Sequence, residues 1–252
     1  RAGVFAFMEL GAAAMTTRPW LLRPFRAVAR MQINRAIKDP ELRAKVTPRD
    51  EIGCKRIMLT DEWYPTLTKP NVGLVTDRIE AITPTGIRAG GQERPADVLV
   101  LATGFKSHGF VAPMEVVGED GRTLEHEWGQ VPRAYLGMSV PGFPNMFLMY
   151  GPNTNGGTGS VIYTIEANVS HVISALGEME RRDARKIEVR RDAADAFDRE
   201  LREALKDTVW HTGCTNWYVD ADGNDPSQWP WLWSQYRKRV ERIEPEAYEV
   251  AA

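Results

Sequence analysis

Two stretches of this chain carry residue types suited to chemistry: the adjacent cations Lys55 and Arg56, and the run "GPNTNGGTGS" that starts at Gly151. A lysine offers a compact point charge for a phosphate, whereas an arginine offers a permanently charged planar fork that can stabilise developing negative charge. On a loop, such a pair is otherwise ordinary solvated surface. In the second stretch four glycines let the backbone approach a ligand, and Asn153, Thr154 and Asn155 add side-chain donors and acceptors for the edge of a heterocycle. A long helix is expected to follow, and its first N–H groups favour negative charge or an electron-rich carbonyl. Gly157 and Gly159 begin a GxGxxG pattern, but Ile162 stands in the third glycine's place, so the run is a weak pyrophosphate fingerprint. A capped turn without a ligand is the plainer alternative.

Other chemistries are excluded by spacing. His126 and Glu127 begin HExxH, yet Gln130 ends it. There is no GxSxG elbow and no Walker sequence, and His108, His126, His171 and His211 lack metal-ligand spacing to one another or to a cysteine. The two cysteines, Cys54 and Cys214, are far apart and outside any CxxC pair. That argues against a disulfide framework and a zinc site, and suits a cytoplasmic protein. A net charge of −2 gives no reason to expect nucleic acid or an anionic membrane as partner. No run reaches the roughly 18 apolar residues of a membrane span. The longest candidate, "GVFAFMELGAAAM", is broken by Glu9 and reads as a packed helix. No secretory leader pattern is visible either, and because the chain starts at Arg1 inside a helical pattern, the natural start is expected upstream.

The elements that must position these residues follow from periodicity. At 252 residues with 43% apolar content, the chain can bury one large core or two modest ones. Residues 1–47 read as helical, with Asp39 as an N-cap before Pro40. From 71 to 105 the pattern becomes short strands, "VGLV", "IEAI" and "GIRAG", separated by turns including "AGGQERPAD". The apolar run "VLVLA" at 98–102 reads as a strand buried inside a parallel sheet, running into Thr103 and Gly104. "NMFLMY" at 145–150 reads as a second apolar strand. A helix over 160–182 presents Ile162, Ile165, Val169, Val172, Ile173 and Leu176 as one stripe. "KIEVR" reads as a strand, and the helix after it has Asp192 as N-cap candidate with Phe197, Leu201, Leu205 and Val209 on one face. Residues 210–233 hold five of the eight tryptophans, expected to serve the core.

The segments "GCKRI", "ATGF", "GFPNMFLMYGPNTNGGTGS" and "CTNWY" together resemble the class B flavoprotein monooxygenases, in particular the Baeyer–Villiger monooxygenase and flavin-containing monooxygenase family. The likeness covers nearly the whole chain and places it in the C-terminal portion. It implies an α/β fold, part of a two-dinucleotide-binding-domain flavoprotein of Rossmann-like type. The FAD and NADP glycine fingerprints and the FxGxxxHxxxW signature are expected upstream of Arg1. Residues 1–55 would be a helical segment and the end of the NADP-side domain. Residues 56–252 would be the C-terminal part of the FAD-binding domain with its Trp-rich tail, and "VLVLATGF" the return strand, closing beside the flavin with Thr103 and Gly104.

The cofactors implied are FAD and NADPH, and the partners a small-molecule ketone or sulfide and O2. The implied reaction inserts one oxygen atom into a ketone through a C4a-peroxyflavin. By this resemblance Arg56 matches the active-site arginine, which stabilises the anionic peroxide and the adduct's oxyanion and holds the nicotinamide end. Lys55 meets the 2′-phosphate, Trp217 lies near the nicotinamide ribose, and Asn153, Thr154 and Asn155 with the next helix N-terminus face the flavin pyrimidine. Thr158 departs from the "NxGHGS" of related sequences, which have His there. Two alternatives stand beside ketone oxidation: N- or S-oxygenation of a soft nucleophile, and a non-catalytic remnant or interaction module. The cation at Arg56 favours the ketone, because it favours an anionic peroxide. Alone, the chain is expected to be inactive, to leave a sheet edge and an apolar helix face uncovered, and to self-associate.

Overall fold

The computed structural model describes residues 2–252. Arg1, the first residue of the expected helical lead-in, lies outside them. In chain order the elements are α1 (Ala2–Thr16), α2 (Arg23–Ala36), α3 (Pro40–Val46), α4 (Trp63–Leu67), β1 (Ile79–Thr83), β2 (Gly86–Ala89), β3 (Gln92–Pro95), α5 (Leu124–Trp128), α6 (Val161–Arg181), β4 (Lys186–Val189), α7 (Arg191–Leu205), α8 (Trp233–Val240) and β5 (Tyr248–Ala251). They fall into two compact units. One takes the chain up to Arg23, then Asp50–Ile57 and Ser107–Ala252; the other takes Pro24–Arg49 and Met58–Lys106.

In the smaller unit, Asp39 caps α3 as expected, its carboxylate accepting the Glu41 N–H at 2.9 Å with Pro40 in the first turn. Strands β1, β2 and β3 form an antiparallel meander. The run read as a mere turn, "AGGQERPAD", holds both the Gly90-Gly91 hairpin turn, at φ of 59° and 71°, and strand β3. "VGLV" forms no strand. Nor does 98–102. Val98, Val100 and Leu101 are 77%, 86% and 72% exposed, and no described residue pairs with them as a strand. Apolar content and β-branching made the run look buried, but burial requires neighbouring strands, and the described residues supply none.

The larger unit is built around α6, α7, α8 and the two-stranded antiparallel sheet of β4 and β5, with Met138, Ala167, Ile187, Trp229, Tyr236 and Val240 in its core. The tryptophan-rich tail serves this packing, as composition suggested. The expected strand at 145–150 is a loop, because Asn145 and Tyr150 adopt positive φ and break the extended run. Asn145 is instead pinned beside β4, exchanging 2.9 and 3.0 Å hydrogen bonds with Ile187. Helix α7 begins two residues earlier than expected. Arg190 is its N-cap, and Asp192 sits in the first turn, held by Arg190 at 2.8 Å and suited there to the helix dipole.

Helix α6 reverses the expectation drawn from its stripe. Ile162, Ile173 and Leu176 are 65%, 64% and 56% exposed. The buried side carries Thr164, Ala167, Asn168, His171 and Ala175. Its polar members are satisfied: Asn168 Nδ2 donates to the Tyr236 hydroxyl at 2.8 Å, while His171 meets the Val240 carbonyl at 2.6 Å and the Tyr248 hydroxyl at 2.9 Å. A periodicity of apolar residues cannot mark a buried face made of small and hydrogen-bonded polar side chains.

Candidate functional site

The loop that carries the two cations is anchored immediately before them. Gly53 turns the chain at φ 91°, and Cys54 is fully buried among Met15, Val209, Trp210 and Tyr218. The structure corrects the argument against a disulfide: Cys54 and Cys214, 160 residues apart, are joined as one with their Cα atoms 6.5 Å apart. Sequence spacing could not reveal a contact made by tertiary packing over that distance. With Cys54 held inside, Lys55 and Arg56 emerge at the surface.

Lys55 Nζ pairs with Asp50 at 2.7 Å in an exposed bridge of small energetic value. Arg56 has aromatic company. Burial pushes the Tyr218 phenol up, and the Arg56 guanidinium, within hydrogen-bonding reach of it, pulls it back. Burial likewise raises Tyr150, with Arg56 opposing. The Tyr150 hydroxyl donates to Asn155 Oδ1 at 2.9 Å. Trp217 stacks obliquely on Tyr218 with ring centroids 4.2 Å apart and stays 47% exposed. The turn carrying these two aromatics is organised by Asn216, whose carbonyl accepts the Tyr218 and Val219 N–H groups while its amide donates to the Trp210 carbonyl at 2.9 Å. Tyr218, beside Trp217, and Tyr150, bonded to Asn155, thus both feel the Arg56 charge, and sequence reasoning missed both tyrosines. Their one sequence signal is adjacency: Tyr218 follows Trp217, and Tyr150 precedes Gly151.

The glycine-rich run is held by the protein itself. Asn153 is buried at φ 56° and donates to the Asp225 and Gln228 carbonyls at 2.6 and 3.1 Å. Thr154, fully buried, donates to the Gly151 carbonyl at 2.7 Å. The Asn155 backbone bridges to residues 227–229. A Cβ at Gly156 or Gly159 would overlap the Trp233 indole, and one at Gly157 would overlap Met15 Sδ. These glycines therefore seat the loop on Trp233 and α1. Thr158 adds to the seating, its hydroxyl donating to the Met8 carbonyl at 3.1 Å and its carbonyl accepting from Trp233 Nε1.

The backbone N–H groups of Gly156, Gly157 and Thr158 have no hydrogen-bond partner among the described residues, and Ser160 caps α6 just beyond. Free N–H groups at the head of a 21-residue helix fit the electron-rich edge of a heterocycle, and the adjacent cations at 55 and 56 fit phosphate and oxyanion charge. Thr103 and Gly104 belong to the smaller unit, in its exposed 98–105 segment, with Gly104 at φ 86°. Among the described residues no group of three or more His, Cys, Asp or Glu side chains could hold a metal. No described helix is long and apolar enough to cross a membrane.

No protein-family model matches the chain. A Baeyer–Villiger monooxygenase of Pseudomonas aeruginosa is 35% identical over 99% of the chain, and one of Streptomyces coelicolor 36% over 98%. The chain spans 48% of each of these relatives, about half their length. Among solved structures, an oxidised steroid monooxygenase bound to NADP superposes with a TM-score of 0.81 at 29% identity, over 95% of this chain and 47% of that one. A complex of OTEMO with FAD and NADP gives 0.79 at 25% identity, with the same coverage.

Proposed function

We propose, for a chain that belongs to the Baeyer–Villiger monooxygenase family over about half of that family's length, that it supplies the arginine-bearing half of an FAD- and NADPH-dependent monooxygenase inserting one oxygen atom from O2 into a ketone. What carries the reading is the convergence of Arg56 with Tyr150, Tyr218 and the exposed Trp217 on segments matching relatives of that name. When bound, the flavin would take electrons from NADPH and activate O2. Everything else falls to the chain's own residues.

Arg56 would hold the nicotinamide end and offset the negative charge that grows on oxygen during insertion, a role typically worth about 3–4 kcal/mol. Lys55 would leave Asp50 to meet the 2′-phosphate of NADPH, and Trp217 would lie along the nicotinamide ribose. The free N–H groups at 156–158 and the head of α6 would face the flavin pyrimidine with Asn155 nearby. Asn153 and Thr154 would act by fixing the loop that presents them, and Thr103 and Gly104 would border the flavin. Residues 1–55 would close the NADP-side domain and 56–252 the FAD-side domain. The exposed faces at 98–101 and along α6 would pack on the other half or, without it, drive self-association.

The test joins the chain to the other half of the family's length and follows NADPH consumption and lactone formation from cyclohexanone. Arg56→Ala should lower lactone formation by about 100-fold or more while FAD stays bound. Undiminished lactone formation in that variant would remove Arg56 from the reaction.

A further inference from the structure

We propose that Cys54 and Cys214 are positioning residues for Arg56: joined, they hold its loop against the turn bearing Trp217 and Tyr218, and reduced to thiols they release it. The importance of holding Arg56 there rests on the function proposed above, whereas the holding itself does not.

The disulfide lies two residues before Arg56 and three before Trp217, so it joins the two segments that build the arginine site. Besides the cross-link and the packing of Ile52 and Cys54 in one cluster with Val209, Trp210 and Tyr218, the ties are few. Among the described residues no backbone hydrogen bond links 52–57 to the tail. The polar ties converge on the Cys54 sulfur, which accepts from the Thr212 hydroxyl at 3.7 Å and the Asn216 amide at 3.8 Å. Asn216 also reaches the Cys214 sulfur at 3.6 Å, and it is the residue that shapes the Trp217–Tyr218 turn. Beyond these, the Arg56–Tyr218 interaction spans the two segments. A cross-link closing so long a loop also removes much of the freedom either segment would have without it.

Access differs between the two sulfurs. Cys54 is fully buried and Cys214 is half-buried, so a dithiol reductant enters at Cys214. One of its thiolates attacks the Cys214 sulfur and Cys54 leaves as thiolate. The second thiol of the reductant then displaces Cys214, leaving the reductant as a cyclic disulfide and the protein with two thiols. Two electrons and two protons pass to the protein. Oxidation by a small-molecule disulfide reverses the exchange and returns them.

The experiment uses the full chain and dithiothreitol as the dithiol. Thiol counting in denaturant should give none before reduction and two after, these being the chain's only cysteines. At a temperature where far-UV circular dichroism does not change, reduction should speed phenylglyoxal labelling of Arg56 several-fold, read by peptide mass spectrometry. Labelling of Arg190, paired with Asp192 elsewhere, should stay constant. The double variant Cys54→Ser/Cys214→Ser should label at the reduced rate with or without dithiol. Should it fail to fold, Tyr218→Phe replaces it: Arg56 labelling should rise there while the thiol count stays at none. Two free thiols before reduction, or Arg56 labelling indifferent to reduction, overturns the proposal. Because neither readout needs a cofactor, a chain inert as a monooxygenase would sink the proposed function and leave this result standing.

Discussion

His171 makes the stability of this chain depend on pH in a way its surroundings define. The ring is fully buried on α6. The Val240 carbonyl can only accept, so Nδ1 carries the proton, and Nε2 accepts from the Tyr248 hydroxyl, which lies 3.1 Å from Ser139 Oγ. Burial lowers the affinity of this imidazole for a second proton below its ordinary value of 6.5, with the Val240 carbonyl and Glu244 opposing more weakly. The unfolded chain therefore binds more protons than the folded one between 6.5 and the lowered value. The stabilisation is complete above 6.5 and is lost as pH falls through that window.

The loss approaches about 1.4 kcal/mol per pH unit for one proton. For a chain of this size that is roughly 3–6 °C in Tm per unit. Thermal melts from about pH 8 to about pH 5 measure it, with His171→Gln as the comparison that isolates this ring. The variant should melt lower at the alkaline end, having disturbed two buried partners, and show the shallower slope. Parallel curves for the two proteins would refute a neutral, buried His171.

Replacing Gly159 by Ala should cost about 2–4 kcal/mol, because its φ of 142° resists a side chain and the new methyl would overlap the Trp233 indole. Gly177→Ala, with open space around it inside α6, should instead stabilise by about 0.5–1 kcal/mol, and denaturant unfolding of both variants checks the contrast. Ile173→Glu combined with Leu176→Glu, on the open face of α6, should shift the isolated chain towards monomer in light scattering; unchanged association would mean that face is not what brings copies together.

The residue pattern by itself determined several parts of this protein. Asp39 before Pro40, the β1–β2 hairpin, the bounds of α6 and the aromatic core of the tail are local: caps, turns and helical periods act over a few residues and are written there. The order of "GCKRI", "ATGF", "GPNTNGGTGS" and "CTNWY" also pointed to the family whose members the chain matches along nearly its whole length. Tertiary structure decided the rest. Which face of α6 is buried, whether "VLVLA" finds strands to pair with, and what fills the space beside Gly156, Gly157 and Gly159 all depend on partners distant in sequence. Cys54 and Cys214, and Arg56 with Tyr218, are the plainest cases. Each pair is separated by about 160 residues, and no periodicity extends over such a distance to announce that packing will bring them together.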